Sequence, residues 1–159
     1  MNRATIGWSW VLGQAILLGA LILLPGRSDW PTPSLLTAAA WALILGGLII
    51  VALAAFGLGS ALTPTPMPTQ SGSLSTNGLY QYVRHPIYSG VLLAVAGVTL
   101  RSGSWIHLVI AVATVLFFDR KARWEEGQLV EHYEGYRAYA AGTPRFVPIP
   151  FSQIRRRFR

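Results

Sequence analysis

The sequence predicts an all-α integral membrane protein with four transmembrane helices, the last two forming a short hairpin, and a cytoplasmic amphipathic helix. Among its 159 residues, 52% are hydrophobic and only 12% are charged. This balance is more typical of a membrane protein than of a soluble protein of this size. The apolar residues lie in four uncharged stretches, 6–24, 35–62, 87–100 and 105–118. The length suits a single domain, 1–159.

The first two stretches, 6–24 and 35–62, are the long ones. An α-helix rises about 1.5 Å per residue, so each can cross roughly 30 Å of hydrocarbon. One arginine precedes the first stretch, as in a signal peptide. No clear small-residue cleavage site follows it and a second span comes soon after, so we predict that it is retained.

The third and fourth apolar stretches, 87–100 and 105–118, are shorter and are joined by a turn. These segments could form a spanning hairpin or a re-entrant pair, and we favour the spanning hairpin. His107, near the turn, is expected to be interfacial or hydrogen-bonded. The preceding loop, 63–77, has alternating prolines that favour extended backbone, and we expect it to pack over the protein at the membrane surface, as a lid.

The distribution of basic residues predicts the topology. Nine of the thirteen lie at or after Arg120. Four spans place both termini and the loop 63–85 on one side, which the positive-inside rule assigns to the cytoplasm. The net charge of +7 is therefore attributed to topology and to lipid headgroups, which the tail 155–157 would bind, and not to nucleic acid. The absence of cysteine excludes disulfides, thiolate zinc sites and cysteine nucleophiles.

Residues 119–141 have the pattern of an amphipathic helix that continues from the last span. One face carries residues at helical spacing, namely Ala122, Glu126, Leu129, Tyr133, Tyr136 and Ala140. Glu125 is rotated by about 100° from Glu126, so we expect Glu126 to point inward and Glu125 toward solvent or headgroups. An inward carboxylate needs a partner. Either a salt bridge to Arg84 or Arg123, or a ligand hydroxyl or cation, would provide one.

Two polar clusters bracket the predicted hairpin. The first lies in Gly78-x-Tyr80-x-x-Val83-Arg84-His85-Pro86-x-Tyr88-x-Gly90, and the second is Glu125-Glu126. Ionisable residues at a membrane boundary indicate a functional site. We therefore predict one site assembled at the membrane surface from segments 63–86 and 119–150.

These motifs resemble the signature of the isoprenylcysteine carboxyl methyltransferase family. The resemblance includes Glu125-Glu126-x-x-Leu129, Tyr133-x-Gly135-Tyr136 and Arg145-Phe-Val-Pro148, and it covers roughly 62–148. It implies an integral membrane methyltransferase that uses S-adenosylmethionine and acts on a lipophilic acceptor at the membrane–cytoplasm interface, such as an isoprenylcysteine-like carboxylate. The cofactor pocket would open to the cytoplasm, and the acceptor would enter from the bilayer.

The resemblance also implies roles for individual residues, with no metal ligand among them. The catalytic residues would be Arg84, Glu126 and Arg145. The cofactor site would comprise Tyr80, Val83, His85, Pro86, Tyr88, Gly90, Glu125, Glu126 and Tyr136.

Other functions stay open at this point. A phospholipid amine or a small apolar molecule could be the acceptor instead of a carboxylate. An amine would need deprotonation, which Glu126 or His85 could assist, whereas an ionised carboxylate needs no general base. A non-catalytic four-span protein, such as a transporter subunit, would carry polar residues at mid-span, and these spans carry almost none. A reductase would need a nicotinamide cofactor, for which no separate signature is present.

Overall fold

The computed structural model describes residues 2–59, 62, 63, 65 and 74–148. The described chain is all-helical and has no strand, as predicted. The helices are α1 (Arg3–Leu23), α2 (Ser34–Leu58), α3 (Pro86–Ser102), α4 (Trp105–His132) and α5 (Tyr136–Gly142), and a 3-10 turn (Gly78–Gln81) precedes α3. Most of the predicted lid, 63–77, and the basic tail, 155–157, lie outside the described residues.

By length and composition, α1 and α2 can each cross a membrane, and α3 is a shorter apolar helix. Many large apolar side chains of α1 and α2 are exposed on the protein surface, as suits contact with lipid. These two helices suit an integral membrane protein. The count of four spans stays a prediction.

Close packing of α2 against α3 positions the start of α3. A Cβ atom on Gly90 would lie 2.6 Å from the carbonyl oxygen of Gly47, and one on Gly97 would lie 2.5 Å from that of Ala40. Small residues at these positions let the two backbones touch, as in many membrane helix pairs. The Tyr80 hydroxyl donates to the carbonyl of Ala54 at 3.4 Å, which adds the 3-10 turn to this unit.

The far end of the hairpin is tied to the loop between α1 and α2. Gly103 has φ +57°, which favours glycine, and its carbonyl accepts from the Trp30 amide at 3.2 Å. The Asp29 carboxylate caps α4 by accepting from the Trp105 amide at 2.9 Å. His107 is buried near this turn, and its Nδ1 has no hydrogen-bond partner among the described residues.

The prediction of a single amphipathic helix over 119–141 is wrong in one respect. The fourth apolar stretch and the segment after it form one continuous helix, α4, which ends at His132. Tyr133 is extended, with φ −118° and ψ 114°, and the chain turns at Gly135 before α5 begins. Glycine is a poor helix former, which favours a break at Gly135. The turn there changes the direction of the chain, and Tyr136 at the start of α5 is buried.

Candidate active site

The segment after α5 is bound to the start of α3. The Arg84 amide donates to the Pro144 carbonyl at 2.8 Å, and the His85 amide donates to the Arg145 carbonyl at 3.1 Å. The Ser89 hydroxyl donates to the Phe146 carbonyl at 2.7 Å. These bonds hold the segment after α5 against the start of α3, although 57 residues separate Ser89 from Phe146 in sequence.

Glu126 is the centre of an ion network. It accepts from Arg84 Nε at 3.0 Å and from Arg145 Nε and a terminal nitrogen at 3.0 and 2.7 Å, and His85 Nε2 lies 3.1 Å from Oε1. Burial alone would raise the pKa of Glu126, but the hydrogen bonds from His85 and Arg145 and the charge of Arg84 hold it well below its usual range. Glu126 is therefore ionised and well supplied with donors.

Both arginines of this network also have other partners. A terminal nitrogen of Arg84 donates to the carbonyls of Ala140 and Thr143, each at 2.6 Å, and so fixes the end of α5. Arg145 also pairs with Asp119 at 2.9 Å. Of the two salt bridges considered for Glu126, the one to Arg84 forms. Arg123 pairs instead with Asp119 at an exposed position.

Glu125 lies against α3, and the expectation that it points to solvent or headgroups is wrong. Its Oε2 accepts from the Tyr88 hydroxyl at 2.6 Å and lies 3.7 Å from His85 Nδ1. The Tyr88 and His85 rings stack with centroids 5.1 Å apart and an angle of 5°. The side chain of Glu125 is 23% exposed, against 14% for Glu126. Because α3 packs beside α4 here, both glutamates are enclosed.

A group of tyrosines borders the ion network. The Tyr139 hydroxyl donates to the Tyr80 carbonyl at 2.5 Å, and burial raises the pKa of Tyr139 to about 12. Tyr136 is 2% exposed, and its hydroxyl has no partner among the described residues. Burial is the main cause that raises the pKa of Tyr136, so this hydroxyl is protonated and able to donate. A buried hydroxyl without a partner is costly unless water or a ligand satisfies it.

Besides Tyr80 and Tyr136, which belong to the tyrosine group, the predicted site residues fall into two groups. Arg84, His85, Tyr88, Glu125, Glu126 and Arg145 form one contiguous cluster. Val83 and Pro86 are buried, and Gly90 faces Gly47 and Val51 of α2, where it determines how close the helices come. Whether these three residues also contact a cofactor stays a prediction.

The sequence analysis missed Lys121, a buried lysine beside the cluster. Its ammonium lies 5.2 Å from the centroid of the Tyr88 ring and donates to Gln14 of α1. Lys121 lies four residues before Glu125, so helical spacing already placed both on one face. Gln14 gave no comparable signal, because only the tertiary structure brings α1 to α4.

Comparison with known proteins places the chain in a family. Residues 35–135 match the family model described as phospholipid methyltransferase. The chain is 30% identical over 152 residues to the cobalt-zinc-cadmium resistance protein CzcN of Cupriavidus metallidurans, covering 93% of this chain and 65% of that protein. It is 34% identical over 158 residues to methanethiol S-methyltransferase 2 of Bradyrhizobium diazoefficiens, covering 88% and 60%.

A solved structure has the same fold. It is a eukaryotic intramembrane Ras methyltransferase, isoprenylcysteine carboxyl methyltransferase, with a TM-score of 0.67 and 19% identity, over 95% of this chain and 54% of that one. The chain thus spans between about half and two thirds of the length of these three proteins. The predicted resemblance to isoprenylcysteine carboxyl methyltransferases is confirmed at family level. Since the family model matches more than half of its length, the chain belongs to the phospholipid methyltransferase family.

Proposed function

We propose that this protein is an S-adenosylmethionine-dependent methyltransferase that acts on a lipophilic acceptor at the membrane–cytoplasm interface. The observation that carries the proposal is the enclosed cluster at one end of the apolar helices. It combines paired carboxylates, stacked aromatic rings and the Tyr136 hydroxyl, which has no partner among the described residues. Two of the three relatives reported above are named methyltransferases, which supports the same activity.

The residues present fit S-adenosylmethionine, which supplies a methyl group on a positively charged sulfur. The Tyr88 ring, which stacks on His85, can attract a cation through its face. Glu125 uses one described hydrogen bond, from Tyr88, and can accept from an ammonium or from ribose hydroxyls. The Tyr136 hydroxyl would donate to the bound cofactor.

Glu126 has a different role in this proposal. Arg84, Arg145 and His85 already surround its carboxylate. We therefore assign it to positioning, since it holds the segment after α5 against α3 and keeps the His85 ring beside Tyr88. Arg84 serves the same purpose through the carbonyls at the end of α5. Enclosure by these segments would exclude water from the transfer step.

One relative is named for cobalt-zinc-cadmium resistance. No group of three or more His, Cys, Asp or Glu side chains in the described part of the chain is arranged to hold a metal ion. The site is built from charged and aromatic side chains.

Calorimetry on the purified protein in detergent tests the proposal. We expect binding of S-adenosylmethionine and of its demethylated product. Glu125→Gln should weaken it by about ten- to a hundredfold, because a charge-assisted hydrogen bond is worth roughly 1.5–3 kcal/mol. Tyr136→Phe should weaken binding by a smaller factor, about two- to tenfold, because the hydroxyl is neutral.

A matched control is Glu131→Gln, which changes the same chemical group at a side chain 59% exposed. It should leave binding unchanged. If folded wild-type protein bound neither compound, the proposed function would be wrong.

A further inference from the structure

Lys121 is a buried lysine that forms no salt bridge with any described residue. It is 4% exposed, and none of the ion pairs formed by the described residues includes it. Its Nζ donates to the neutral Gln14 Oε1 at 2.5 Å. An ammonium has three donors, and a buried charge without a counter-ion is costly. Its surroundings therefore favour an additional, negatively charged partner.

The position of this ammonium places it beside the proposed transfer site. It lies 5.2 Å from the centroid of the Tyr88 ring and 5.7 Å from that of Phe118. Tyr88 is the residue that stacks on His85 and donates to Glu125. Lys121 thus lies where the apolar part of α4 meets the polar cluster. On the proposed function, a lipophilic acceptor that enters from the bilayer would present its polar end here.

The groups that face Lys121 come from three helices. They are Gln14 from α1, Tyr88 from α3, and Phe118 and Glu125 from α4 itself. Burial lowers the pKa of Lys121, and the charge of Glu125 opposes that effect. Among these neighbours, Glu125 is the anion, and its Oε2 already accepts from Tyr88.

We propose that Lys121 binds the anionic end of the acceptor, so that this protein methylates apolar molecules ending in a thiolate or carboxylate and discriminates against amines. The inference rests on the proposed methyl transfer. In that step the carbon–sulfur bond of the sulfonium donor breaks, its electron pair stays on sulfur, and a lone pair of the acceptor forms the new bond to carbon. The acceptor enters already ionised, so no proton leaves. A protonated amine would be repelled by the ammonium.

Three variants separate charge from packing. Lys121→Met keeps a long apolar side chain and removes the charge, whereas Lys121→Arg keeps the charge. Gln14→Glu leaves Lys121 in place and supplies it with an internal counter-ion. It therefore tests the proposal even if Lys121→Met fails to fold.

The first measurement is binding of an S-prenylcysteine analogue with a free carboxylate, by calorimetry without methyl donor. Lys121→Met and Gln14→Glu should each weaken it by about ten- to a hundredfold, as expected for loss of a charge-assisted contact. Lys121→Arg should retain most of it. All three variants should bind S-adenosylmethionine as wild type does.

The second measurement is methyl transfer to that analogue, to a long-chain alkanethiol and to phosphatidylethanolamine, which distinguishes carboxylate, thiolate and amine acceptors. The KM for the carboxylate should rise with pH as Lys121 loses its proton, beginning below the usual lysine pKa of 10.5. Lys121→Arg should remove that rise. Unchanged analogue binding in Gln14→Glu, or preferred transfer to the amine, would overturn the inference. Absence of S-adenosylmethionine binding in wild type would instead overturn the proposed function.

Discussion

At the scale of single residues, the paired glutamates have different surroundings. Glu126 forms ion pairs with two arginines, whereas Glu125 accepts a hydrogen bond from one tyrosine hydroxyl. Helical phase alone predicted that Glu126 would point inward, to a salt bridge or a ligand, and that Glu125 would point toward solvent or headgroups. The structure encloses both, because α3 and the segment after α5 cover α4 from two sides.

This difference predicts different consequences for the two amide substitutions. Glu126→Gln leaves Arg84 without a counter-ion and leaves Arg145 with Asp119 alone. Breaking a buried ion pair in this way costs at most about 3–5 kcal/mol. Glu125→Gln keeps an oxygen that can accept from Tyr88, so it should fold stably while losing cofactor affinity. Thermal unfolding in detergent beside calorimetry measures both effects. A stable Glu126→Gln protein with normal melting would contradict this assignment.

The ion network also predicts acid sensitivity. The folded-state pKa of Glu126 lies below its usual value of 4.5. Its contribution to stability is therefore complete above about pH 4.5 and is lost as the pH falls below that value. The decrease in melting temperature of wild type between pH 5 and pH 3 should be reduced in Glu126→Gln. An equally steep decrease in both proteins would show that other carboxylates cause it.

At the scale of elements, the contact of α2 with α3 determines where the first cluster lies. Gly90 is one turn after the Arg84–Pro86 segment and touches the backbone of Gly47. The sequence motif includes this glycine, and the structure gives it a packing role. A change of helix spacing at Gly90 would move Tyr88 and His85 relative to α4.

Two alanine substitutions separate packing from helix propensity. Gly90→Ala places a methyl group 2.6 Å from a carbonyl oxygen, and overpacking of this kind costs about 1–3 kcal/mol. Gly127→Ala, also inside a helix, meets nothing within 4 Å and should gain about 0.5–1 kcal/mol. Melting temperatures should therefore shift in opposite directions. A shift in the same direction for both would show that α2 and α3 are not in close contact.

At the scale of the whole molecule, charge distribution predicts that both termini and the clustered site face the cytoplasm. The cysteine-free sequence allows single-cysteine labelling. Asn77→Cys and Thr32→Cys both change exposed residues, on opposite sides of α2. A membrane-impermeant thiol reagent added to intact cells should label Thr32→Cys and should label Asn77→Cys only after permeabilisation. The reverse pattern would invert the topology.

The amino-acid sequence by itself determined the helical class, the two long apolar helices, the hairpin turn and the two polar clusters. These features depend on local periodicity, glycine and proline placement, and charge. It also carried the motifs that identify the family. The sequence did not predict that α4 ends at His132. The stripe of residues at helical spacing continues across Gly135, although the helix does not.

Only the tertiary structure decided which charges meet. Glu126 pairs with Arg84 and Arg145, and Lys121 meets Gln14 across more than a hundred residues of sequence. Such pairings depend on how helices rotate and cross, and small residues such as Gly47 and Gly90 set that geometry through backbone contact. Hydrophobic patterning specifies which face of a helix is apolar, but it does not specify which distant side chain pairs with a buried charged group.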